Sequence, residues 1–151
     1  MTLAAGLLIG WTGCGSRTDP DRPRTVPASV TVLYLGQPVQ GATVTFHPDD
    51  SQQRGSTART DASGRADMWT FDPGDGVMPG SYSVTVSKMT AVVMPDPDSM
   101  SPEEYERLAQ KMEAQAPAHE VPERYSRVAT SGLVAEVTDG EDNQFTFELQ
   151  N

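Results

Sequence analysis

The chain has two histidines, and they are the first residues to consider in a search for acid–base or metal chemistry. His119 precedes Glu120, as in the His-Glu-x-x-His pattern of zinc peptidases, but Glu123 stands where that pattern requires its second histidine. The chain also lacks the Gly-x-Ser-x-Gly sequence that presents a nucleophilic serine on a sharp turn. We therefore expect His47 and His119 to be surface residues, and we expect no catalytic residue and no metal ligand.

Acidic side chains cluster in two segments that we assign to loops. Carboxylate oxygens in clusters suit calcium, although the spacing here does not match an EF-hand, and the sequence Asp-Pro-Gly-Asp-Gly is equally typical of a turn. We expect no cofactor, and we keep a calcium-stabilised, adhesion-type domain as an alternative. The residues concerned are Asp72, Asp75, Asp139, Glu141 and Asp142.

Trp69 lies just before the first of these acidic loops. An indole ring on a sheet face can stack on a sugar, whereas the competing interpretation places Trp69 at the edge of the core. Trp69, Asp72 and Asp75 form our candidate binding surface, for a glycan or a partner protein. A hydrolase with an unrecognised site in the loops around Asp72–Asp75 and His119 is a further alternative.

The single cysteine, Cys14, follows a short apolar stretch. Residues 1–13 are too short to span a bilayer, which takes about 20 apolar residues, but they match the apolar part of a secretion signal. The position of Cys14 resembles a bacterial lipobox, in which signal cleavage leaves a lipid-bearing cysteine at the mature N-terminus. Two features depart from that pattern: Trp11 stands where leucine is usual, and no Lys or Arg precedes the apolar run.

The lipobox resemblance implies a signal peptide at residues 1–13 and a lipid on Cys14 that holds the protein on a membrane. Each buried acyl methylene contributes about 0.8 kcal/mol to such binding. Gly15 follows the cysteine instead of the Asp that retains such lipoproteins at the inner membrane, so we expect the outer membrane, facing the periplasm or the exterior. A buried or stray thiol is the alternative.

Residues 14–28 are rich in proline and charge and contain little to bury, so we expect a flexible tether. An ordered extension lying along the domain is the alternative. The whole chain has 151 residues and a formal charge of -10. This length suits a single domain, and the negative charge argues against a nucleic-acid partner, because phosphate binding needs a basic surface.

From Ser29 onward, apolar residues alternate with polar ones in short runs, which predicts β-strands with one buried face. Asp61 and Gly64 frame a tight turn, since Asp accepts hydrogen bonds from nearby backbone and Gly supplies a positive φ. We expect an all-β fold, a seven-stranded sandwich of two stacked antiparallel sheets. The predicted core is Val30, Val32, Tyr34, Ala42, Val44, Phe46, Met68, Tyr82, Val84, Val86, Leu133, Ala135, Val137, Phe145, Phe147 and Leu149.

Three short motifs follow one another in the chain: Val-x-x-x-Gly-x-Pro-Val-x-Gly-Ala-x-Val-x-Phe at residues 32–46, Thr-Asp-x-x-Gly-Arg at 60–65 and Pro-Gly-x-Tyr-x-Val-x-Val at 79–86. Their order resembles the carboxypeptidase regulatory-like domain, and this resemblance implies a seven-stranded sandwich of the immunoglobulin or transthyretin type, common in bacterial envelope proteins. Phe-Asp-Pro-Gly-Asp-Gly at Phe71–Gly76 and the Glu-x-Tyr…Thr-Ser-Gly-Leu segment at Glu123–Leu133 resemble small lipoproteins of that group. The resemblance implies one sandwich domain over residues 29–151. The other matching residues are Val32, Gly36, Pro38, Val39, Gly41, Ala42, Val44, Phe46, Thr60, Asp61, Gly64, Arg65, Pro79, Gly80, Tyr82, Val84 and Val86.

The segment from 89 to 128 is longer than a loop in a compact domain and has its own helical pattern. Ser101 is a suitable N-cap, Pro102 suits the first helical position, and Glu104 completes a capping box. We expect one inserted α-helix at about residues 101–116. Its apolar stripe of Tyr105, Leu108 and Met112 is expected to pack on the sandwich, with a partner helix or a membrane surface as the alternatives. These observations together favour a non-catalytic, lipid-anchored envelope module that has a structural role or binds a partner protein or glycan.

Overall fold

A computed structural model describes residues 22–90, 96, 99–113, 118–140 and 143–151. The described residues form two four-stranded β-sheets, which agrees with the all-β sandwich expected from the alternating pattern. The strands are β1 (Ser29–Tyr34), β2 (Gln37–Pro38), β3 (Thr43–Pro48), β4 (Ser56–Arg59), β5 (Arg65–Asp67), β6 (Gly80–Ser87), β7 (Leu133–Val137) and β8 (Gln144–Leu149).

The first sheet is built around β1, which pairs antiparallel with β2 and β5 and parallel with β8. Our expectation of a wholly antiparallel fold is therefore wrong at this pair. The physical reason is that β7 and β8 belong to different sheets, so the turn between them crosses the sandwich instead of closing a hairpin. The strand expected to run from Arg65 to Phe71 is also shorter and ends at Asp67.

The second sheet has the order β4-β3-β6-β7, and all its neighbouring strands are antiparallel. Val44 pairs with Val86 and Phe46 with Val84, so both strands direct apolar side chains to the same inner face. The Phe46 ring lies 5.7 Å from that of Phe145 and 6.4 Å from that of Phe147, which belong to the other sheet. These aromatic contacts join the two layers.

The predicted core is confirmed for all but three residues; Tyr34, Leu133 and Phe145 are half-buried and pack against it. Fully burying each large apolar side chain contributes about 1.5–3 kcal/mol, so this cluster stabilises the fold without a disulfide. Several buried residues have no counterpart in the predicted core, and they lie in short strands, in loops and in the segments that flank the sandwich. They are Val26, Ala28, Val39, Ala58, Ala66, Val77, Met78, Val121 and Tyr125.

The described part of the expected tether is packed on the sandwich. Val26 is 4% exposed, and it forms two backbone hydrogen bonds with Val77, at 2.8 and 2.9 Å. Ala28 is also buried, and its carbonyl accepts the N–H of Met68. The folded region therefore begins before Ser29, inside the segment 14–28; residues 14–21 lie outside the described part of the chain.

Helix α1 spans Pro102–Glu113, and its expected capping box is confirmed. The Glu104 N–H donates to Ser101 Oγ at 3.3 Å, and the Ser101 N–H donates to Glu104 Oε2 at 3.2 Å. These hydrogen bonds lower the pKa of Glu104, the Ser101 hydroxyl contributing most. Residues 114–117, where we expected the helix to end, lie outside the described residues.

The apolar stripe of α1 does not join the described core. Tyr105, Leu108 and Met112 are half-buried, but the core cluster contains none of them, and α1 makes only marginal contact with the other described elements. The expected packing of this stripe on the sandwich is therefore not found among the residues that the structure describes.

The segment after the insert returns to the core before residue 128, earlier than expected. It forms a short 3₁₀ helix, Glu123–Ser126, and the single-turn helix α2, Val128–Ser131. Tyr125 is buried, its hydroxyl accepts the N–H of Gln150, and Ser131 Oγ donates to the carbonyl of Val84 at 2.6 Å. The Glu-x-Tyr…Thr-Ser-Gly-Leu motif thus fastens the insert to β6 and to the end of β8.

Candidate functional site

Trp69 lies on the outer face of the second sheet. Its backbone pairs with Thr57 of edge strand β4, with N···O distances of 2.9 and 3.1 Å. Met68 and Thr70 are buried whereas Trp69 is half-buried, so strand alternation directs the indole away from the core. The same cross-strand row continues from Thr57 to Thr45. Of the two interpretations of Trp69, the structure therefore favours the sheet face over the core edge.

Hydroxyl side chains dominate the rest of this face, which we call the outer face. Glu136 is the only acidic residue in β3, β4, β6 and β7, although the protein as a whole is strongly acidic. Val134, at the β7 edge, is 75% exposed. The outer face is defined by Trp69 and by the outward residues Thr43, Thr45, His47, Thr57, Arg59, Ser81, Ser83, Thr85, Ser87, Val134 and Glu136.

Asp75 organises the loop that follows Trp69. Its carboxylate accepts backbone N–H groups from Thr70 at 2.8 Å and from Phe71 and Asp72 at 3.1 Å each. Its own N–H donates to the carbonyl of Asp72. The Asp75 side chain is 17% exposed, so these bonds satisfy a largely buried carboxylate.

Arg22 binds the same loop from the N-terminal segment. Its guanidinium is 2.5 Å from Asp72 Oδ2 and 3.7 Å from Asp75 Oδ2, and its Cζ lies 4.4 Å from the centre of the Phe71 ring. The Arg54 guanidinium lies 5.5 Å from the same ring. We call Arg22, Phe71, Asp72 and Asp75 the Arg22 clamp. Asp72 and Asp75, which we had grouped with Trp69, thus contact Arg22, while Trp69 belongs to the sheet face.

The described residues of the calcium alternative are all paired with arginine side chains. In the Arg22 clamp, the guanidinium of Arg22 pairs with Asp72 and Asp75. Asp139 pairs with Arg24 at 3.3 Å. Glu141 and Asp142 lie outside the described residues. Within the described ranges, no three His, Cys, Asp or Glu side chains are grouped as metal ligands would be.

The two histidines lie far apart and in different surroundings. His47 Nε2 is 2.9 Å from the hydroxyl of Thr85. His119 pairs with Met89 at the base of the insert, and its buried Nδ1 has no hydrogen-bond partner among the described residues. Neither ring is hydrogen-bonded to a carboxylate in the described structure, as a general base oriented by an acid would be.

A cleft of about 360 Å³ lies beside the N-terminal segment, and sequence reasoning gave no indication of it. Arg65 and Asp67 line it with Ser29, and the Arg65 guanidinium is 3.3 Å from Ser29 Oγ and 3.8 Å from Asp67 Oδ1. Both charged side chains are more than half exposed, so water screens them strongly. Residues 27–29 form one wall of the cleft, so the cleft depends on the ordered packing of this segment on the sandwich.

The expected lipid-attachment residue, Cys14, lies outside the described residues. Among the residues that the structure describes, no helix has the length and apolar character needed to cross a bilayer.

Comparisons with known proteins add little to these observations. No protein-family model and no curated protein matches the chain. Among solved structures, a 9R-lipoxygenase from Cyanothece PCC8801 aligns with 91% of this chain, at 13% sequence identity and a TM-score of 0.36. The aligned region is 18% of the lipoxygenase chain, so the present chain corresponds to less than a fifth of that enzyme's length.

Proposed function

We propose that this protein is a non-catalytic module of the bacterial cell envelope, anchored by a lipid on Cys14, that binds a glycan on the outer face. The single observation that carries the binding proposal is the position of Trp69, on a sheet face in register with Thr57 and Thr45. The π-face of an indole carries partial negative charge and can stack against the C–H bonds of a sugar ring. Neighbouring hydroxyls can donate and accept hydrogen bonds with the sugar.

The composition of the outer face supports a glycan over a partner protein. Stable protein interfaces have an apolar, desolvated centre surrounded by a polar rim. Here the centre of the face, on β3 and β6, is made of Thr and Ser with His47, and the two large apolar side chains, Trp69 and Val134, lie at opposite edges. Adjacent strands are about 4.8 Å apart, and the row from Trp69 through Thr57 to Thr45 covers two such spacings. The length of this row is comparable with that of a short saccharide.

The surroundings of the histidines support a non-catalytic role. His47 is bonded to a threonine, and His119 has no carboxylate partner in the described structure, so a hydrolase in this region would lack its base. The hydrolase alternative needed His119 close to the loop of Asp72 and Asp75. His119 instead pairs with Met89 at the base of the insert, after the far end of β6.

The strand arrangement supports a carboxypeptidase regulatory-like, transthyretin-like sandwich as the finer description of the fold. When the two-residue strand β2 is left out, seven strands remain, as that family implies. The Asp61–Gly64 turn has the geometry that its motif requires, with Gly64 at φ +75°. The family does not by itself fix a ligand, because one fold serves many functions. Location at the outer membrane belongs to the same proposal and depends on Cys14 and Gly15.

Titration of the protein with oligosaccharides selected on a glycan array tests the binding proposal. Loss of the indole in Trp69→Ala should weaken binding roughly tenfold, equivalent to about 1.4 kcal/mol. The matched control is Val134→Ala, which removes the exposed apolar side chain at the opposite edge of the same face and should leave glycan affinity unchanged.

The two variants also separate a glycan from a protein partner. A protein covering the whole outer face would lose affinity in both Trp69→Ala and Val134→Ala, because apolar anchors dominate such interfaces. Full glycan affinity in Trp69→Ala, with the fold intact by circular dichroism, would exclude the outer face as the sugar site.

A further inference from the structure

The N-terminal segment is fixed to the sandwich by contacts of two kinds. The Arg22 clamp joins a guanidinium to two carboxylates and an aromatic ring, and the Arg22 side chain is only 24% exposed. Four residues later, Val26 is buried and pairs through its backbone with Val77. Cation–π contacts are stronger when they are partly desolvated, and removing one partner of a partly buried ion pair leaves the other charge uncompensated. The segment from Arg22 to Ala28 is therefore part of the folded body.

Gly76 shows how closely the two segments approach. Its φ is +91°, and a Cβ built on it would overlap the carbonyl group of Val26. The docking of the N-terminal segment thus depends on a residue without a side chain at this position. At this point the N-terminal segment packs on the Gly76 loop at backbone-to-backbone distance.

The docked segment and the helical insert lie at opposite ends of β6. Val77, which holds Val26, comes just before the first residue of the strand, Gly80. The insert leaves after the last residue, Ser87, and its base is closed where the Glu120 N–H donates to the carbonyl of Lys88 at 2.9 Å. The eight residues of β6 between them make seven residue steps, about 23 Å at 3.3 Å per step.

We propose that the docking of Arg22 sets both the distance and the orientation of the domain relative to the membrane. The inference relies on the lipid anchor at Cys14 in the proposed function. Eight residue steps separate Cys14 from Arg22, and at full extension they span about 29 Å. A tether reaching to Ser29 would span about 54 Å. The end of the sandwich carrying the Arg22 clamp faces the lipid, and the end from which the insert leaves points away from it.

Energy transfer to labelled lipid tests this orientation in the full-length lipidated protein. Because Cys14 is the only cysteine, a lipidated protein with one added cysteine carries a single reactive thiol. Ser51→Cys places a dye in the loop between β3 and β4, at the clamp end, and Gln40→Cys places it between β2 and β3, at the insert end; both residues are polar, uncharged and exposed. In vesicles containing a headgroup acceptor, transfer from position 51 should be roughly twofold higher than from position 40.

A lengthened tether provides the matched control. A 20-residue Gly/Ser insertion after Ser16 adds about 25 Å of root-mean-square chain length, so the ratio between the two positions should fall towards one. Mass spectrometry of the same preparations separates the two proposals. Equal transfer from both positions with the lipid present overturns the orientation and leaves the anchor intact. A mature N-terminus without lipid overturns both.

Discussion

The Asp61–Gly64 turn and the Phe71–Gly76 loop use the same chemistry in different structural settings. In the turn, Asp61 Oδ1 accepts the N–H groups of Ser63 and Arg65, at 2.8 and 3.0 Å. In the loop, Asp75 accepts three backbone N–H groups in the same manner. The turn is complete within five residues, whereas the loop also binds Arg22, which lies 50 residues from Asp72 in sequence.

The comparison shows how one local motif serves two purposes. In the turn between the consecutive strands β4 and β5, the exposed Asp61 carboxylate forms hydrogen bonds only with residues of the turn itself. When the carboxylate is partly buried and a second acid stands beside it, the loop can also bind a cation from a distant segment. The backbone hydrogen bonds are alike in the two regions, and the difference is that the loop also binds the guanidinium of Arg22.

Gly76→Ala should have the largest effect. The substitution combines a positive φ, unfavourable for a residue with a side chain, with an overlap between the new Cβ and the Val26 carbonyl. We expect a loss of about 2–4 kcal/mol in the free energy of unfolding, because the N-terminal segment must be displaced. Urea-induced unfolding measures the loss.

Gly74→Ala is the control for the backbone contribution. Gly74 has a similar φ of +81°, but a Cβ there meets nothing within 4 Å. This variant should lose only about 1–2 kcal/mol, the cost of left-handed backbone geometry. Equal losses in Gly76→Ala and Gly74→Ala would show that contact with Val26 adds nothing to stability.

Asp75→Ala should have the next largest effect. It leaves three backbone N–H groups without an acceptor in a partly buried loop, and it removes one anionic partner of Arg22. We expect a loss of about 2–3 kcal/mol in unfolding free energy. Asp61→Ala, in the exposed turn, should lose less, because water can replace the carboxylate there. Thermal unfolding of both variants ranks the two aspartates, and a larger loss in Asp61→Ala would contradict the comparison.

The sandwich core was predictable from sequence because its signal is local. Alternation within one strand identifies an inward face, and Val44 or Val84 needs no distant information to be assigned to it. The parallel pairing of β1 and β8 has no such signal, because it depends on which sheet the chain enters after β7. The capping box of Ser101 and Glu104 was likewise predictable, since both partners lie within four residues.

The Arg22 clamp was not predictable from sequence, because its residues lie far apart in the chain. Its cation comes from a Pro-rich, charged segment whose composition is typical of a flexible tether. Only the fold brings Val26 beside Val77, and that pairing then holds Arg22 near Asp72. The glycine that permits this approach, Gly76, is indistinguishable in sequence from an ordinary turn glycine. Asp72 and Asp75, which we assigned from sequence to a candidate binding surface, thus have an arginine partner within the same chain.

The smallest predicted effect concerns pH and is confined to the Asp61 turn. The Ser63 hydroxyl, together with the backbone N–H groups of Arg65 and Ser63, lowers the pKa of Asp61 below its usual value near 3.8. The pKa of Asp61 is thus lower in the folded state than in the unfolded state. The stabilisation that the ionised Asp61 contributes is therefore fully present above pH 3.8, and it is lost as the pH falls through the pKa of Asp61 in the folded state.

Asp61→Asn keeps an oxygen acceptor but removes this titration, so it isolates the charge. The stability difference between the parent protein and Asp61→Asn should be constant from about pH 7 to about pH 5 and should shrink as the pH falls below the unfolded pKa. Urea midpoints across that range give the measurement. A difference independent of pH down to about pH 2.5 would mean that Asp61 acts through hydrogen-bond geometry alone. The exposed turn would then differ from the Asp75 loop only in its lack of a distant cation.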